Sequence, residues 1–117
     1  MPLLLVGTNH NVAPLAVRER LALTAEQGAR LLDSLLAYVP NAVVLATCNR
    51  TEIYVTAHNT AMGAAHVHQF LAEWTGITVP ELRPHLYSQE QWEPLRHLLR
   101  VAAGLDSMIL GEEQILG

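Results

Sequence analysis

Two short apolar runs, at residues 42–46 and 53–57, flank the polar hexapeptide Thr-Cys-Asn-Arg-Thr-Glu at residues 47–52. Both runs are the length of a strand, and both contain β-branched residues, which favour strands. With so few residues between them, the runs predict a hairpin-like pair of strands. The fold must therefore place this hexapeptide where a buried strand gives way to a polar turn.

The remaining elements surround this pair on both sides. An apolar run at residues 3–7 predicts a first strand, and Val17 and Leu21 suggest a short helix after Pro14. Thr24 opens a capping box, and the leucines that follow at helical spacing predict a helix that ends before Pro40.

The second half of the chain repeats this order. Helical spacing predicts a helix over residues 61–75 closed by Gly76, and Leu86 and Tyr87 suggest a fourth strand. A second capping-box pattern at Ser88 predicts a last helix that runs to about Gly104. This order predicts an α+β fold, a ferredoxin-like split β-α-β sandwich with an antiparallel sheet and helices on one face.

Composition excludes several classes of function. The net charge of −4 disfavours nonspecific binding to polyanions, and no apolar stretch reaches the roughly 20 residues of a membrane span. All seven basic residues are arginine, so a Schiff-base lysine mechanism is excluded for this chain. One cysteine leaves no internal disulfide and no spaced Cys/His cluster, so we expect no metal site and a cytoplasmic protein.

That single cysteine, Cys48, is the first candidate for chemistry. A thiol becomes a nucleophile when it is accessible and when nearby positive charge favours the thiolate. Arg50 would share a face with Cys48 if the strand continued, and it could stabilise the thiolate or hold a substrate carboxylate. The alternative is a small buried structural cysteine, and the residues alone leave both possibilities open.

His97 is the second candidate. On the last predicted helix, the apolar stripe comprises Trp92, Leu95, Leu98, Leu99 and Ala102, and we expect it to face the core. At 100° per residue, His97 lies nearly opposite that stripe, so it is either a solvated surface histidine or a functional one.

The chain resembles the N-terminal catalytic domain of glutamyl-tRNA reductases over nearly its whole length. The resemblance rests on pieces that occur in order at plausible spacing: Gly7-Thr8-Asn9-His10, Ala13-Pro14, Arg18-Glu19-Arg20, and residues 47–52, 97–107, 110–112 and 114–117. Asn11-Val12 replaces the family's usual lysine-threonine pair, and Glu113 stands where proline is common.

This resemblance implies reduction of glutamyl-tRNA to glutamate-1-semialdehyde with NADPH, the first committed step toward tetrapyrroles. Cys48 would then form a glutamyl thioester, which is reduced in the second half of the reaction. His97 would match a histidine important for activity, and Glu112 is the candidate for receiving the substrate ammonium. Substrate-contacting positions would be Thr47, Asn49, Arg50, Ser107, Glu112, Glu113 and Gln114.

The resemblance also implies what lies outside these residues. Family members continue into a nucleotide-binding and a dimerisation domain, and no Gly-x-Gly-x-x-Gly cradle for NADPH occurs in this sequence. We expect a catalytic domain at residues 1–105, with residues 106–117 beginning a connecting segment. Expected partners are glutamyl-tRNA, a second copy in a full-length homodimer, and the aminomutase that acts next. The alternative is a non-catalytic ferredoxin-like binding or regulatory module with a structural cysteine.

Overall fold

The computed structural model describes residues 2–90 and 92–104, with side chains described as far as residue 101. Four strands and five helices follow one another along this part of the chain. In order they are β1 Leu3–Asn9, α1 Leu15–Leu21, α2 Ala25–Leu35, β2 Asn41–Ala46, β3 Arg50–Thr56, α3 Thr60–Thr75, α4 Val79–Leu82 with a 3-10 turn at Arg83–His85, β4 Tyr87–Glu90 and α5 Glu93–Gly104.

The four strands form one antiparallel sheet in the order β2-β3-β1-β4. Helices α1 and α2 connect β1 to β2, and α3 and α4 connect β3 to β4. The adjacent strands β2 and β3 form the predicted hairpin at one side, while β1 and β4 complete the sheet. This is the split β-α-β arrangement, and the predicted α+β ferredoxin-like fold is confirmed.

Local signals account for the ends of two helices. The Gln27 backbone N–H donates to Thr24 Oγ1 at 3.1 Å, and the Thr24 N–H donates to Gln27 Oε1 at 2.9 Å, which confirms the capping box. Gly76 closes α3 with φ 73°, a left-handed conformation that glycine adopts without strain. Helix α2 ends at Leu35, earlier than predicted, and two turn hydrogen bonds then bring buried Val39 back to the core.

The main core lies between the sheet and helices α1 to α4. Alternate strand residues face it, since successive side chains point to opposite faces of a sheet. The fully buried members from the strands and helices are Leu4, Val6, Val44, Ile53, Val55, Leu21, Leu35, Val67 and Leu82. Helices α1 to α4 therefore lie on one face, as predicted, but α5 does not.

Helix α5 packs on the opposite face, where Val101 and Leu98 contact Leu5, Leu45 and Tyr54 of the sheet. The expectation that the apolar stripe of this helix is buried holds at Leu98 and is wrong at three other members. Its members Trp92, Leu95 and Leu99 are 73%, 41% and 62% exposed, whereas Pro94 and Val101 are buried. The reason lies in the sheet, which presents a buried carboxylate here, so the helix turns its histidine inward to meet it.

The predicted capping box at Ser88 is also wrong. Ser88 lies inside β4, where it pairs with Val6 of β1, and α5 begins only at Glu93. Without these residues β1 would be an edge strand with unpaired backbone groups, so the pairing outweighs the local helix signal.

No helix in residues 2–90 and 92–104 is long and apolar enough to cross a membrane.

Candidate active site

Cys48 is exposed at the tip of the β2–β3 hairpin. The pair Ala46 and Thr51 ends the ladder, and the Thr47 backbone N–H then donates to the Arg50 carbonyl oxygen at 2.8 Å. Cys48 and Asn49 are left as a two-residue turn, and the Asn49 N–H lies 3.3 Å from Thr47 Oγ1. The thiol is therefore free and accessible, and the alternative of a buried structural cysteine is wrong.

The hexapeptide divides its side chains between the two faces of the sheet. Thr51 faces helix α1, and its hydroxyl donates to the Leu21 carbonyl oxygen at 3.1 Å. Arg50 and Glu52 face α5 together with Tyr54, because residues two apart in a strand share a face. The motif is thus anchored on both sides of the sheet.

A small cleft surrounds the thiol on the side of α1. Its lining residues come from the hairpin, from β1 and from α1 and its C-terminal end: Thr8, Arg18, Ala22, Thr47, Cys48, Asn49, Arg50 and Thr51. Four predicted site residues, Thr47, Cys48, Asn49 and Arg50, thus come together here. Arg18 was missed as a site residue, and only its place among the resembling pieces pointed to it.

Arg18 brings a second cation to this cleft. Its Nε donates to the Ala13 carbonyl oxygen at 3.1 Å, which fixes the start of the guanidinium group. Among residues 2–90 and 92–101 no carboxylate forms an ion pair with it. Arg50, in contrast, is paired with Glu52 at 3.2 Å, so Arg18 is the uncompensated positive charge beside Cys48.

A fully buried carboxylate, Glu52, lies behind the hairpin and was not predicted as a site residue. Its Oε1 accepts a hydrogen bond from the Tyr54 hydroxyl at 2.8 Å. Its Oε2 accepts one from the Tyr87 hydroxyl at 2.5 Å, and it lies 2.5 Å from His97 Nε2 and 3.2 Å from a terminal nitrogen of Arg50. Strands β3 and β4 and helix α5 therefore meet at one carboxylate, which we call the Glu52 cluster: Arg50, Glu52, Tyr54, Tyr87 and His97.

Gly7 makes room for this cluster. It pairs with Glu52 on β3 and with Tyr87 on β4. A Cβ at this position would lie 2.9 Å from Glu52 Cγ and 3.1 Å from Tyr87 Cε1, closer than side chains normally approach. The absent side chain lets the carboxylate and the phenol meet across the central strand.

The cluster keeps both tyrosines protonated. Burial, followed by the charge and the hydrogen bond of Glu52, raises the pKa of Tyr54 and of Tyr87 far above the ordinary value. Both phenols therefore remain donors to Glu52 throughout the physiological range. The carboxylate keeps these two neutral partners in addition to Arg50 and His97.

The other predicted site residues divide into two groups. His97 is 15% exposed and belongs to the Glu52 cluster rather than to the lining of the Cys48 cleft. Arg50 belongs to both, since it lines the cleft and lies 3.3 Å from His97 Nε2. Outside the described residues lie Ser107, Glu112, Glu113 and Gln114.

No group of three or more His, Cys, Asp or Glu side chains suited to a metal ion occurs within the part of the chain that the structure describes.

Comparison with known proteins places this geometry in a family. Residues 6–117 match the family described as "Glutamyl-tRNAGlu reductase, N-terminal domain". The glutamyl-tRNA reductase of Thermosynechococcus vestitus is 43% identical over 99% of this chain, and that of Carboxydothermus hydrogenoformans is 44% identical over all of it. The chain covers 28% and 26% of those two proteins.

A solved structure gives the same result. Glutamyl-tRNA reductase from Methanopyrus kandleri superimposes with a TM-score of 0.57 at 29% sequence identity, over 97% of this chain and 25% of that one. The chain thus spans about a quarter of the length of the proteins it matches. It belongs to the glutamyl-tRNA reductase family, in which it corresponds to the N-terminal domain.

Proposed function

We propose that this chain is the glutamyl-accepting domain of a glutamyl-tRNA reductase and that Cys48 is its nucleophile. One observation carries the proposal: the single thiol is exposed at the hairpin tip, in a cleft that Arg18 and Arg50 help to line. Nearby cations favour the thiolate, which is the reactive form of cysteine. An inert core cysteine would need neither exposure nor this charge.

The proposed step is an acyl transfer. A bond forms between Cys48 Sγ and the glutamyl carbonyl carbon, and the ester bond from that carbon to the 3′-terminal ribose of the tRNA breaks. The thiol proton ends on the departing ribose oxygen. The product is a thioester, whose sulfur donates weakly to the carbonyl and leaves it more electrophilic than the ester was.

Arg50 is the proposed clamp for the carboxylate of the glutamyl side chain. Guanidinium groups bind carboxylates bidentately, and Arg50 lines the cleft while Glu52 holds only one of its terminal nitrogens. Its buried Nε has no hydrogen-bond partner among the described residues. Thr47 and Asn49 would contact the substrate from the same hairpin, and Ser107, Glu112, Glu113 and Gln114 would complete the site.

Reduction by NADPH is proposed for the whole protein and not for these residues. A dinucleotide needs a glycine-rich turn at a helix N-terminus, and the sequence has no Gly-x-Gly-x-x-Gly pattern. The residues present therefore do not fit the cofactor, and the proposal for this chain ends at the thioester.

The remaining proposals follow from the family. The substrate would be glutamyl-tRNA, the full-length protein would be a homodimer, and its aldehyde product would pass to the aminomutase of the tetrapyrrole pathway. A cytoplasmic location suits an accessible thiol that must stay reduced.

Mass spectrometry of Cys48 tests the function. The protein is expressed with any sequence that follows residue 117 in its gene and is incubated with glutamyl-tRNA without NADPH. We expect a glutamyl adduct on Cys48 that hydroxylamine removes. Cys48→Ser, which keeps the size of the side chain, is the control and should show no such thioester. A folded wild-type protein without the adduct, or with the adduct elsewhere, would contradict the proposal.

A further inference from the structure

The acyl-transfer step leaves the most buried charged group of the described residues without a role. Glu52 has no solvent exposure, and none of its atoms lines the Cys48 cleft. A buried carboxylate is costly unless donors surround it, and here four side chains supply them. Hydrophobic residues would fill the same space without that cost, so the carboxylate calls for an explanation.

Hydrogen-bond donors and acceptors around Glu52 fix the proton of His97. Nε2 lies 2.5 Å from Glu52 Oε2, and an ionised carboxylate only accepts, so Nε2 must carry the hydrogen. Arg50 cannot alter this, because a guanidinium only donates and cannot bond to a nitrogen that already carries hydrogen. Its terminal nitrogen therefore donates to Glu52, and its 3.3 Å approach to Nε2 is only a contact.

With Nε2 engaged, Nδ1 is the nitrogen of His97 that is available to a substrate. No described residue forms a hydrogen bond with Nδ1. When the imidazole carries its hydrogen on Nε2 and none on Nδ1, the lone pair of Nδ1 can accept a proton.

We propose that Glu52 is a positioning residue that holds His97 in the tautomer protonated at Nε2, so that Nδ1 acts as a proton acceptor in the acyl transfer. This rests on the proposed function, and it assigns His97 to proton transfer instead of polarisation of the reacting carbonyl. The same contact gives Glu52 a second role, because the bond to Oε2 also fixes the plane of the imidazole ring.

The carboxylate is itself held in place by the sheet. Tyr54 bonds to Oε1 and Tyr87 to Oε2, so the carboxylate plane has a partner at each end. Gly7 pairs with Glu52 across the two strands and leaves room for the carboxylate to lie between the two phenols. His97 thus meets an acceptor whose orientation is fixed before any substrate arrives.

The tautomer can be measured directly in this chain. Nitrogen-15 NMR of the imidazole ring distinguishes a protonated from an unprotonated Nδ1 and Nε2. We expect hydrogen on Nε2 and none on Nδ1 for His97 near neutral pH. A ring protonated at Nδ1 alone would overturn the proposal, whatever the activity of the protein.

Kinetics test the consequence in the protein expressed with any sequence that follows residue 117. Glu52→Gln keeps the shape but can donate to Nε2, which favours the opposite tautomer. We expect thioester formation to slow roughly 10- to 100-fold, the usual cost of removing the carboxylate that orients a functional histidine. Glu81→Gln, the same change at an exposed residue bonded to Thr78, is the control and should keep the wild-type rate.

A double mutant separates positioning from a merely structural role. In a His97→Asn background, Glu52→Gln should cause little further loss, because Glu52 acts through a ring that is no longer present. Losses that multiply would overturn the proposal. A wild-type protein with the expected tautomer but no thioester would instead contradict the proposed function, so the two failures are distinguishable.

Discussion

The Nε2 atom of His97 lies 2.5 Å from Oε2 of Glu52, although 45 residues separate them in the chain. This contact joins helix α5 to a buried carboxylate at the centre of the sheet. It also accounts for the exposure of Leu95 and Leu99, because the helix is turned so that His97 meets Glu52.

Alkaline pH should destabilise the protein through Tyr54 and Tyr87. Their pKa values are raised by burial and by Glu52, so the stability they contribute is complete below the ordinary tyrosine pKa of about 10 and is lost as the pH rises above it. Each should lower the free energy of unfolding by about 1.4 kcal/mol per pH unit in that range. Urea unfolding from pH 9 to 11.5 measures this slope.

The absence of lysine makes that slope readable, because lysine normally titrates in the same range as tyrosine. Tyr54→Phe and Tyr87→Phe should each make the slope shallower. Tyr38→Phe, which removes a hydroxyl outside the Glu52 cluster, is the matched control. Identical slopes for the wild type and both cluster variants would show that the pKa values of Tyr54 and Tyr87 are not raised in the folded protein.

Arg18 should favour anionic reagents at Cys48. The rate of alkylation by iodoacetate, divided by that by iodoacetamide, reports the charge around the thiol. Arg18→Ala should lower this ratio roughly two- to five-fold at low salt, the effect of one partly exposed charge worth about 0.5–1 kcal/mol, and high salt should reduce the difference. Arg96→Ala, which removes an exposed arginine paired with Glu93, should leave the ratio unchanged; an equal drop there would refute the assignment.

The orientation of α5 predicts opposite outcomes for adjacent leucines. Leu98 packs against Leu5, Leu45 and Tyr54, so Leu98→Ala should lower the free energy of unfolding by about 1–3 kcal/mol. Leu99 is 62% exposed, and Leu99→Ala should change the free energy of unfolding by no more than about 0.5 kcal/mol. Chemical denaturation measures both, and the reverse order would mean that the helix is turned the other way.

Gly7 should tolerate no side chain. Gly7→Ala places a methyl group 2.9 Å from Glu52 Cγ and 3.0 Å from the Thr51 carbonyl oxygen, and overpacking of this kind costs about 1–3 kcal/mol. We expect a lower free energy of unfolding and, in the folded protein, a changed nitrogen-15 signal of His97. A variant as stable as the wild type, with that signal unchanged, would show that the cluster has spare room.

The spacing of apolar residues was sufficient to predict the order of helices and strands, because most of the long elements follow one clear pattern. Helix α3 and its glycine end appear as predicted, and so do the hairpin and the Thr24 capping box. The failures are at Ser88 and on α5, where local patterns compete with partners far away in the chain. Strand pairing with β1 decides the first, and a buried carboxylate decides the second.

The candidate site was predictable only in part, for the same reason. Cys48 and Arg50 are neighbours in the chain, so their closeness follows from local structure. Glu52 belongs to the same hexapeptide, and the alternation of Arg50, Glu52 and Tyr54 along a strand was a signal that one face of the sheet is polar. Its partners Tyr87 and His97 come from other elements, and only tertiary structure reveals them.

The division of the hexapeptide between two faces limits how this site can evolve. Because side chains alternate along β3, a one-residue insertion or deletion would exchange Arg50 and Glu52 for their neighbours and direct the charges into the apolar core under α1. The number of residues between β2 and β3 is therefore constrained independently of which residues they are.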